Sequence, residues 1–572
     1  MDVTPYLELQ IPPRAVFDHL AARQSRVRFL VPDGQGDWSA VTWQAYADAI
    51  RRTAQFLMNA GLKSGERAAI FATNSVEWIE AALGIQAMGA VMVPIYPSST
   101  ADQAAYVVEH GDARIVFVDG AETLARVFES WSSYAKVEKI VLLDGELDPM
   151  ALLHELRRKD PTVPSFASVE PRLITWSRAQ SIGRWLDAES PQAFDLAMAN
   201  VSLDQVGMML YTSGTTGRPK GVPLSHRNIA VNGRDWLQCN GPLVEEGDVD
   251  ILWLPMSHIF GFGEACLGNT LGFTSYLSDP ASALGLLPVA RPHVFMSVPR
   301  YFEKIAEIVA AETDTTRQDA KLKEVTGGNL RFCLSGGAGL KREVKELFHR
   351  AGLLIVEGYG LTEASPTLTL NRPDAFRFDS VGRPIPSVQL KLAEDGEILA
   401  RGESIFSGYH KDPQATHEVF TSDGWLKTGD LGRFTDDGFL QIIGRKKEIL
   451  VTASGKNIAP VNIEERFIGD PYIQHVVVYG DGEKYLTAAF WVNENALRAR
   501  LDEEYSPQNV MALLTPRLEQ VNAGLARYET IKKFVVIDEP LTVENGFLTP
   551  TLKIKRKKVY EAFGDRFASL YS

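Results

Sequence analysis

Tyr211-Thr-Ser-Gly-Thr-Thr-Gly-Arg-Pro-Lys220-Gly221 packs four Ser/Thr hydroxyls, three glycines and two cations into eleven residues. The apolar run Val206 to Leu210 before it suits a buried strand, and Ser225-His-Arg-Asn-Ile after it opens a helix with serine at the cap. Strand, loop and helix in that order read as a polyphosphate cradle. Glycines let the backbone turn its N–H groups onto a phosphate, the hydroxyls donate further hydrogen bonds, and Lys220 or Arg218 supplies charge. Composition alone also fits a solvated linker, but a linker needs neither the strand, the capped helix nor the cations. A P-loop NTPase is disfavoured. Five residues after Gly214 comes Pro219 and five after Gly217 comes Val222, so the G-x-x-x-x-G-K-[ST] pattern is absent.

Toward the N-terminus, Trp43, Tyr46, Ile50 and Leu57 mark an amphipathic helix between Thr42 and Gly61. From Arg67 to Asp119 the pattern alternates strand, helix, strand, helix, strand, a parallel α/β layout. Residues 136–198 carry short apolar runs broken by Pro161, Pro164 and Pro171, and read only as a connecting region. Toward the C-terminus, Asp248 to Pro255 is a second apolar strand ending at Met256-Ser-His258-Ile-Phe-Gly-Phe262, and alternation resumes to Leu334. Ser335-Gly336-Gly337-Ala-Gly339 then leads into a helix, and the strand Leu353 to Val356 delivers Glu357-Gly-Tyr-Gly-Leu-Thr-Glu363. Gly358 and Gly360 are followed by Glu363 where a dinucleotide fingerprint requires a third glycine, which removes the best support for a nicotinamide or flavin enzyme. From about Val388 short strands are punctuated by Asp395-Gly396 and Asp437-Gly438, which are hairpin signals. Gly444-Arg-Lys-Lys-Glu-Ile449 follows as either a solvated turn or a hinge, and beyond it strands and helices make a compact α+β unit.

The 572 residues are 45% hydrophobic and 23% charged, ordinary globular material for two to four domains. A net charge of −13 leaves no basic field to hold nucleic acid. Three cysteines, Cys239, Cys266 and Cys333, have no zinc or disulfide spacing and indicate a reducing compartment. The N-terminus has no basic and apolar signal regions, so a cytoplasmic location is expected. The apolar stretch Ala81 to Val93 is short of the ~20 residues that span a bilayer, leaving at most peripheral membrane contact.

Tyr211 to Gly221 resembles the phosphate-binding signature of the adenylate-forming superfamily of acyl-CoA synthetases, adenylation domains and firefly-type luciferases. Later motifs match in order along essentially the whole chain. The resemblance implies an α/β fold: a large N-terminal domain of mixed α/β sheets (1–444) with a β-rich subdomain at about 385–444, then a small mobile α+β domain (445–572). It implies nucleotide contacts from Thr212, Ser213, Gly214, Thr215, Thr216, Gly217 and Lys220, and adenine walls from Gly336, Gly337, Glu357, Gly358, Tyr359 and Gly360. Glu363 matches the glutamate that holds Mg²⁺ on the ATP phosphates, with Thr362 beside it; its bland alternative is a helix-capping glutamate. Asp430, in Trp425-Leu-Lys-Thr-Gly-Asp430, would accept from both ribose hydroxyls, with Ile442, Arg445 and Lys447 completing the nucleotide and hinge positions.

His258 resembles the residue at the mouth of the carboxylate pocket, although a lone histidine on an apolar run is often a satisfied core residue; Phe262 falls where some long-chain enzymes have an aromatic gate. Leu548-Thr-Pro-Thr-Leu-Lys553-Ile-Lys-Arg556 resembles the motif of the adenylation lysine, selecting Lys553. It has Leu552 where the commoner form has glycine, a departure that looks like the long-chain fatty acyl-CoA synthetase branch; the competing view is a merely basic helix. The expected activity is an ATP-dependent acid:CoA ligase, with ATP, Mg²⁺ and CoA and a medium- or long-chain fatty acid. An acyl-AMP ligase serving a carrier protein, a luciferase-like oxygenase and a non-enzymatic ATP-binding module stay open, as does a homodimer.

Overall fold

The computed structural model describes residues 1–212, 218–312 and 314–572, the side chains of Thr315 and Thr316 aside. It divides into two compact units: 1–212, 218–390 and 400–426 in the first, 391–399 and 427–572 in the second. The division assigns the turn at 391–399 and residues 427–444 to the second unit, whereas the sequence pattern draws its line at 444/445.

Two large sheets dominate the described part of the first unit. In one, the strands run Leu173–Thr175, Lys139–Leu142, Ala113–Val118, Arg67–Phe71, Val91–Ile95, Val206–Thr212, Lys220–Ser225. All neighbours are parallel except the last pair. Parallel strands are covered on both faces, which is why Val91–Ile95 is buried at every position and reads as a continuous apolar run. The other sheet runs from Arg383–Pro384 through Thr367–Leu370, Ile355–Gly360, Phe332–Ser335, Val294–Ser297, Val249–Leu252, Thr274–Leu277 and Val27–Pro32 to Trp38–Thr42. Helix starts follow the side chains that cap them. Thr42 accepts from Ala45 N and Ser75 from Trp78 N, and Thr100 with Gln103 and Ser225 with Asn228 form reciprocal capping boxes.

Two readings need correction. Between the cradle and Ser225 lies a strand, Lys220–Ser225, which pairs antiparallel with Val206–Thr212, so the order is strand, loop, strand, helix. Its six residues include Gly221 and Pro223, which mask the strand pattern. The region 136–198 is also more than a connection: it supplies the strands Lys139–Leu142 and Leu173–Thr175 and the helices Pro149–Lys159, Trp176–Glu189 and Pro191–Ala199. These strands have three and four residues, too short to show a period.

In the second unit, both hairpin turns carry their glycine in the left-handed region, Gly396 at φ +84° and Gly438 at +82°. Beyond them, Ile473–Tyr479, Leu486–Val492 and Ile531–Val536 form a three-stranded sheet with helices Pro507–Ala523 and Arg556–Ala568 in the same unit. Among the described residues no helix is long and apolar enough to cross a membrane. Cys239 and Cys333 are buried and Cys266 is half-buried, all as free thiols.

Candidate active site

In the first unit several candidate residues sit at or just past the carboxyl ends of strands, where parallel α/β sheets expose their loops and bind ligands. Val206–Thr212 ends at the cradle, Val249–Leu252 leads to His258, Phe332–Ser335 to Gly336, and Ile355–Gly360 to Thr362 and Glu363. Ser213, Gly214, Thr215, Thr216 and Gly217 lie outside the described residues. Thr212 and Lys220 flank them as the final rung of the antiparallel pair.

Two cations are available beside the cradle, and the structure directs them differently. Arg218 lies over the Tyr106 ring, 5.3 Å from its centroid. Lys220 places its ammonium 4.8 Å from the centroid of Tyr409, a cation–π contact. The Tyr409 hydroxyl donates to Glu363 Oε1 at 2.9 Å. Glu363 is 9% exposed, and its backbone oxygen accepts from Phe406 N at 2.9 Å, so both ends of the residue are held. Burial, and then the adjacent carboxylate, keeps the Tyr409 phenol protonated well above its ordinary range. Thr362 opens the short turn Thr362–Ala364 and is half-buried beside Glu363.

The donor set suits Mg²⁺. One buried carboxylate with Oε2 outside the tyrosine bond is the ligand offered by sites where phosphates and water complete the shell. Among the described residues no group of three or more His, Cys, Asp or Glu forms a cage of protein ligands.

Gly336 and Gly337 turn the chain after Ser335. Gly337 sits at φ +88°, and a Cβ on Gly336 would lie 3.1 Å from the Phe260 ring. Gly358 is required by strand packing, since a Cβ there would meet Leu370 Cδ2 at 2.6 Å; Tyr359, paired with Thr369, is half-buried, and Gly360 pairs with Thr367. The Glu357 side chain is spent inside the fold: Oε1 accepts from Leu340 N at 2.9 Å and Oε2 pairs with Lys345 Nζ at 2.6 Å. Burial raises its pKa while Lys345 draws it back. Only its backbone is left for an adenine wall. His258 caps the helix Ile259–Leu271 through Nδ1, which accepts from Phe260 N at 3.1 Å. Phe262 is fully buried against Trp78, ring centroids 6.2 Å apart.

In the second unit, Asp430 and Arg445 face each other across the strands Leu426–Phe434 and Leu440–Arg445, with Arg445 Nε donating to Asp430 Oδ1 at 2.9 Å. The Asp430 side chain is 7% exposed and that of Arg445 52%, so the arginine is the partner that faces solvent. Ile442 is half-buried on the same strand, and Lys447 is exposed in the turn Lys446–Glu448. Glu397 supports this corner: Oε1 accepts from Gly429 N at 3.0 Å and Oε2 pairs with Lys446 Nζ at 2.7 Å.

Lys553 closes a tight loop. Thr549 N donates to Lys553 O at 2.8 Å, and Lys553 N to Thr549 Oγ1 at 3.0 Å. Leu552 takes φ +60°, the left-handed region that favours glycine, which gives the glycine of the commoner motif a physical reason. The lysine pKa is lowered by desolvation and then by Arg445, while Asp430 and Glu448 raise it. Arg556 anchors the loop from below, bidentate on Glu464 at 2.5 and 2.7 Å.

Residues 17–410 match the AMP-binding enzyme family and residues 447–572 match its C-terminal domain. The chain belongs to the AMP-binding enzyme family. Among AMP-binding enzyme relatives, a long-chain-fatty-acid–CoA ligase of Mycobacterium bovis is 32% identical over 94% of this chain and 93% of its own. The peroxisomal long chain acyl-CoA synthetase 6 of Arabidopsis thaliana is 30% identical over 97% of this chain and 85% of its own. In structure, the adenylation domain of a carboxylate reductase from Mycobacterium chelonae has a TM-score of 0.81 at 22% identity, covering 100% of this chain and 92% of that one. This last likeness concerns the fold.

Sequence reasoning missed Tyr409, Lys345 and Glu464. Gly408-Tyr409 carries no local pattern, and nothing in one sequence says that it meets a carboxylate 46 positions away.

Proposed function

We propose that this AMP-binding enzyme is an ATP-dependent fatty acid:CoA ligase. The observation that carries the reading is the buried Glu363 carboxylate, held by Tyr409, whose ring also carries the Lys220 ammonium. A fixed anion and a cation on one aromatic side chain suit a metal–polyphosphate substrate, and the two relatives named above supply the acid and the acceptor.

In the first half-reaction the carboxylate oxygen of the fatty acid attacks the α-phosphorus of ATP, and the bond to pyrophosphate breaks. Lys220 and Lys553 would offset the charge that builds on the phosphates, with the thousandfold scale typical of fixed electrostatic groups. Mg²⁺, held through Glu363, would draw charge from the leaving phosphates. Asp430 and Arg445 would hold the ribose, and the backbone of 336–337 and 357–360 with the Tyr359 ring would sandwich the adenine. His258, which caps the helix Ile259–Leu271 through Nδ1, would stand at the mouth of the acid pocket. In the second half-reaction the CoA sulfur attacks the acyl carbon, the bond to AMP breaks, and the thiol proton is released. We assign 445–572 as the body that reorients between the steps, with its hinge at Arg445 to Lys447. A cytoplasmic enzyme with peripheral membrane contact is part of the same reading.

Pyrophosphate release measured over acids of increasing length tests this. Each buried CH₂ contributes roughly 0.8 kcal/mol, so kcat/KM should climb from acetate to medium and long chains. Highest kcat/KM on acetate or an aromatic acid would refute the fatty-acid assignment, and saturation by free CoA separates the CoA ligase from an acyl-AMP ligase that serves a carrier-protein thiol.

A further inference from the structure

We propose that Tyr409 is the positioning residue that sets Glu363 for the divalent cation and Lys220 for the phosphates, acting on both through one side chain. The inference rests on the reading of Glu363 as the metal-side carboxylate.

The geometry is specific to the phenol. Its hydroxyl donates to Glu363 Oε1 at 2.9 Å, fixing the rotation of the carboxylate, while its ring face lies 4.8 Å from Lys220 Nζ. Tyr409 is itself clamped. Its backbone N donates to Thr416 Oγ1 at 2.9 Å, and its ring packs edge-on against Phe406 at 4.9 Å. Phe406 N in turn donates to Glu363 O, so the segment 406–409 grips Glu363 at two points.

The next two residues extend the brace, one to the cradle and one to the helix Ala101–His110. His410 N donates to Gly221 O at 2.8 Å, directly after Lys220, and Lys411 Nζ donates to His110 O at 2.9 Å. A Cβ on Gly221 would lie 3.1 Å from His410 Cβ, so the glycine permits this close approach. Tyr409 and His410 therefore tie the hairpin that carries Lys220 to the turn that carries Glu363, and Lys411 fastens the same segment to the helix Ala101–His110. A side chain present only to fill space would need neither the hydroxyl nor the ring face directed at opposite charges.

The two functions of the ring separate by substitution. Tyr409→Phe keeps the face under Lys220 and removes the bond to Glu363, whereas Tyr409→Leu removes both. The probes are Mn²⁺ bound in the presence of α,β-methylene ATP, read by electron paramagnetic resonance, and metal-free AMP binding, read by calorimetry. Tyr409→Phe should bind Mn²⁺ about tenfold more weakly, the scale of a hydrogen bond to a charged group, with AMP affinity unchanged. Tyr409→Leu should in addition weaken metal-free α,β-methylene ATP, whose extra phosphates meet Lys220. Glu363→Gln serves as the reference. If it binds Mn²⁺ as wild type does, the metal reading itself fails. If it loses Mn²⁺ while Tyr409→Phe retains it, the metal reading stands and the positioning role is overturned. Equal losses of every ligand in Tyr409→Phe and Tyr409→Leu would also overturn it, by showing that the hydroxyl and the ring are not separable.

Discussion

His226 shows how a single residue can set the response of this chain to acid. It is fully buried at the start of the helix His226–Asn240, and neither ring nitrogen has a hydrogen-bond partner among the described residues. The ring lies against Gly207, where a Cβ would come within 2.5 Å of Nδ1, so only glycine leaves room for it. Burial pushes its pKa down to about 4 from 6.5. The unfolded chain therefore takes up a proton between those values that the folded chain refuses. Stability is full above pH 6.5 and falls as the pH drops toward 4, by roughly 3 kcal/mol at about 1.36 kcal/mol per unit. His226→Phe removes the titrating group. Urea unfolding at about pH 7 and about pH 4.5 should show a smaller acid loss for the variant than for wild type. Equal losses would assign the acid sensitivity to other groups.

At the scale of elements, the turn Lys446–Glu448 is where the proposed hinge meets a conformational rule. Proline at 447 would drive the preceding residue out of the helical region that Lys446 now occupies, and Lys446 holds Asp395 and Glu397. Lys447→Ala should therefore turn over like wild type. Lys447→Pro should make one equivalent of acyl-AMP and then stall, as single-turnover kinetics would reveal. Conversion of supplied acyl-AMP to acyl-CoA by Lys447→Pro at the wild-type rate would remove the hinge from this turn. The elements differ in how far sequence reveals them. Arg67 to Val118 was legible because long apolar strands alternate with helices that carry Thr or Ser caps. Lys220–Ser225 was not, because a strand beginning in a glycine-rich loop and containing proline has no apolar run of its own. The candidate site divides likewise. Glu363, Asp430 and Lys553 stand in linear motifs, whereas Tyr409 acts through a contact that only the folded chain creates.

For the whole molecule, the two compact units carry separate parts of the proposed chemistry, with Lys220 and Glu363 in one and Asp430, Arg445 and Lys553 in the other. Lys553→Ala should lose acyl-AMP formation by about a thousandfold, given ~4 kcal/mol between unit charges at 4 Å and an effective dielectric of 20. The variant should still convert supplied acyl-AMP and CoA to acyl-CoA, because the lysine is asked to act only at phosphorus. Measuring each half-reaction alone checks this. A Lys553→Ala protein that lost both equally while remaining folded would favour one fixed site over two arrangements.

The shielded thiols have a practical corollary for that question. Burial pushes Cys239 up to about 11 and Cys266 and Cys333 up to about 12, so at neutral pH almost none of the native sulfur is thiolate, the form that alkylating reagents attack. The natural chain should thus react slowly with maleimides, which a blank labelling of the unaltered protein checks. A cysteine introduced at Glu122, whose side chain is 80% exposed, and another at Lys557, 71% exposed, would be labelled over that background. Dye-to-dye energy transfer between them would follow any turnover-linked swing of the second unit in a protein that keeps all of its own sulfhydryls.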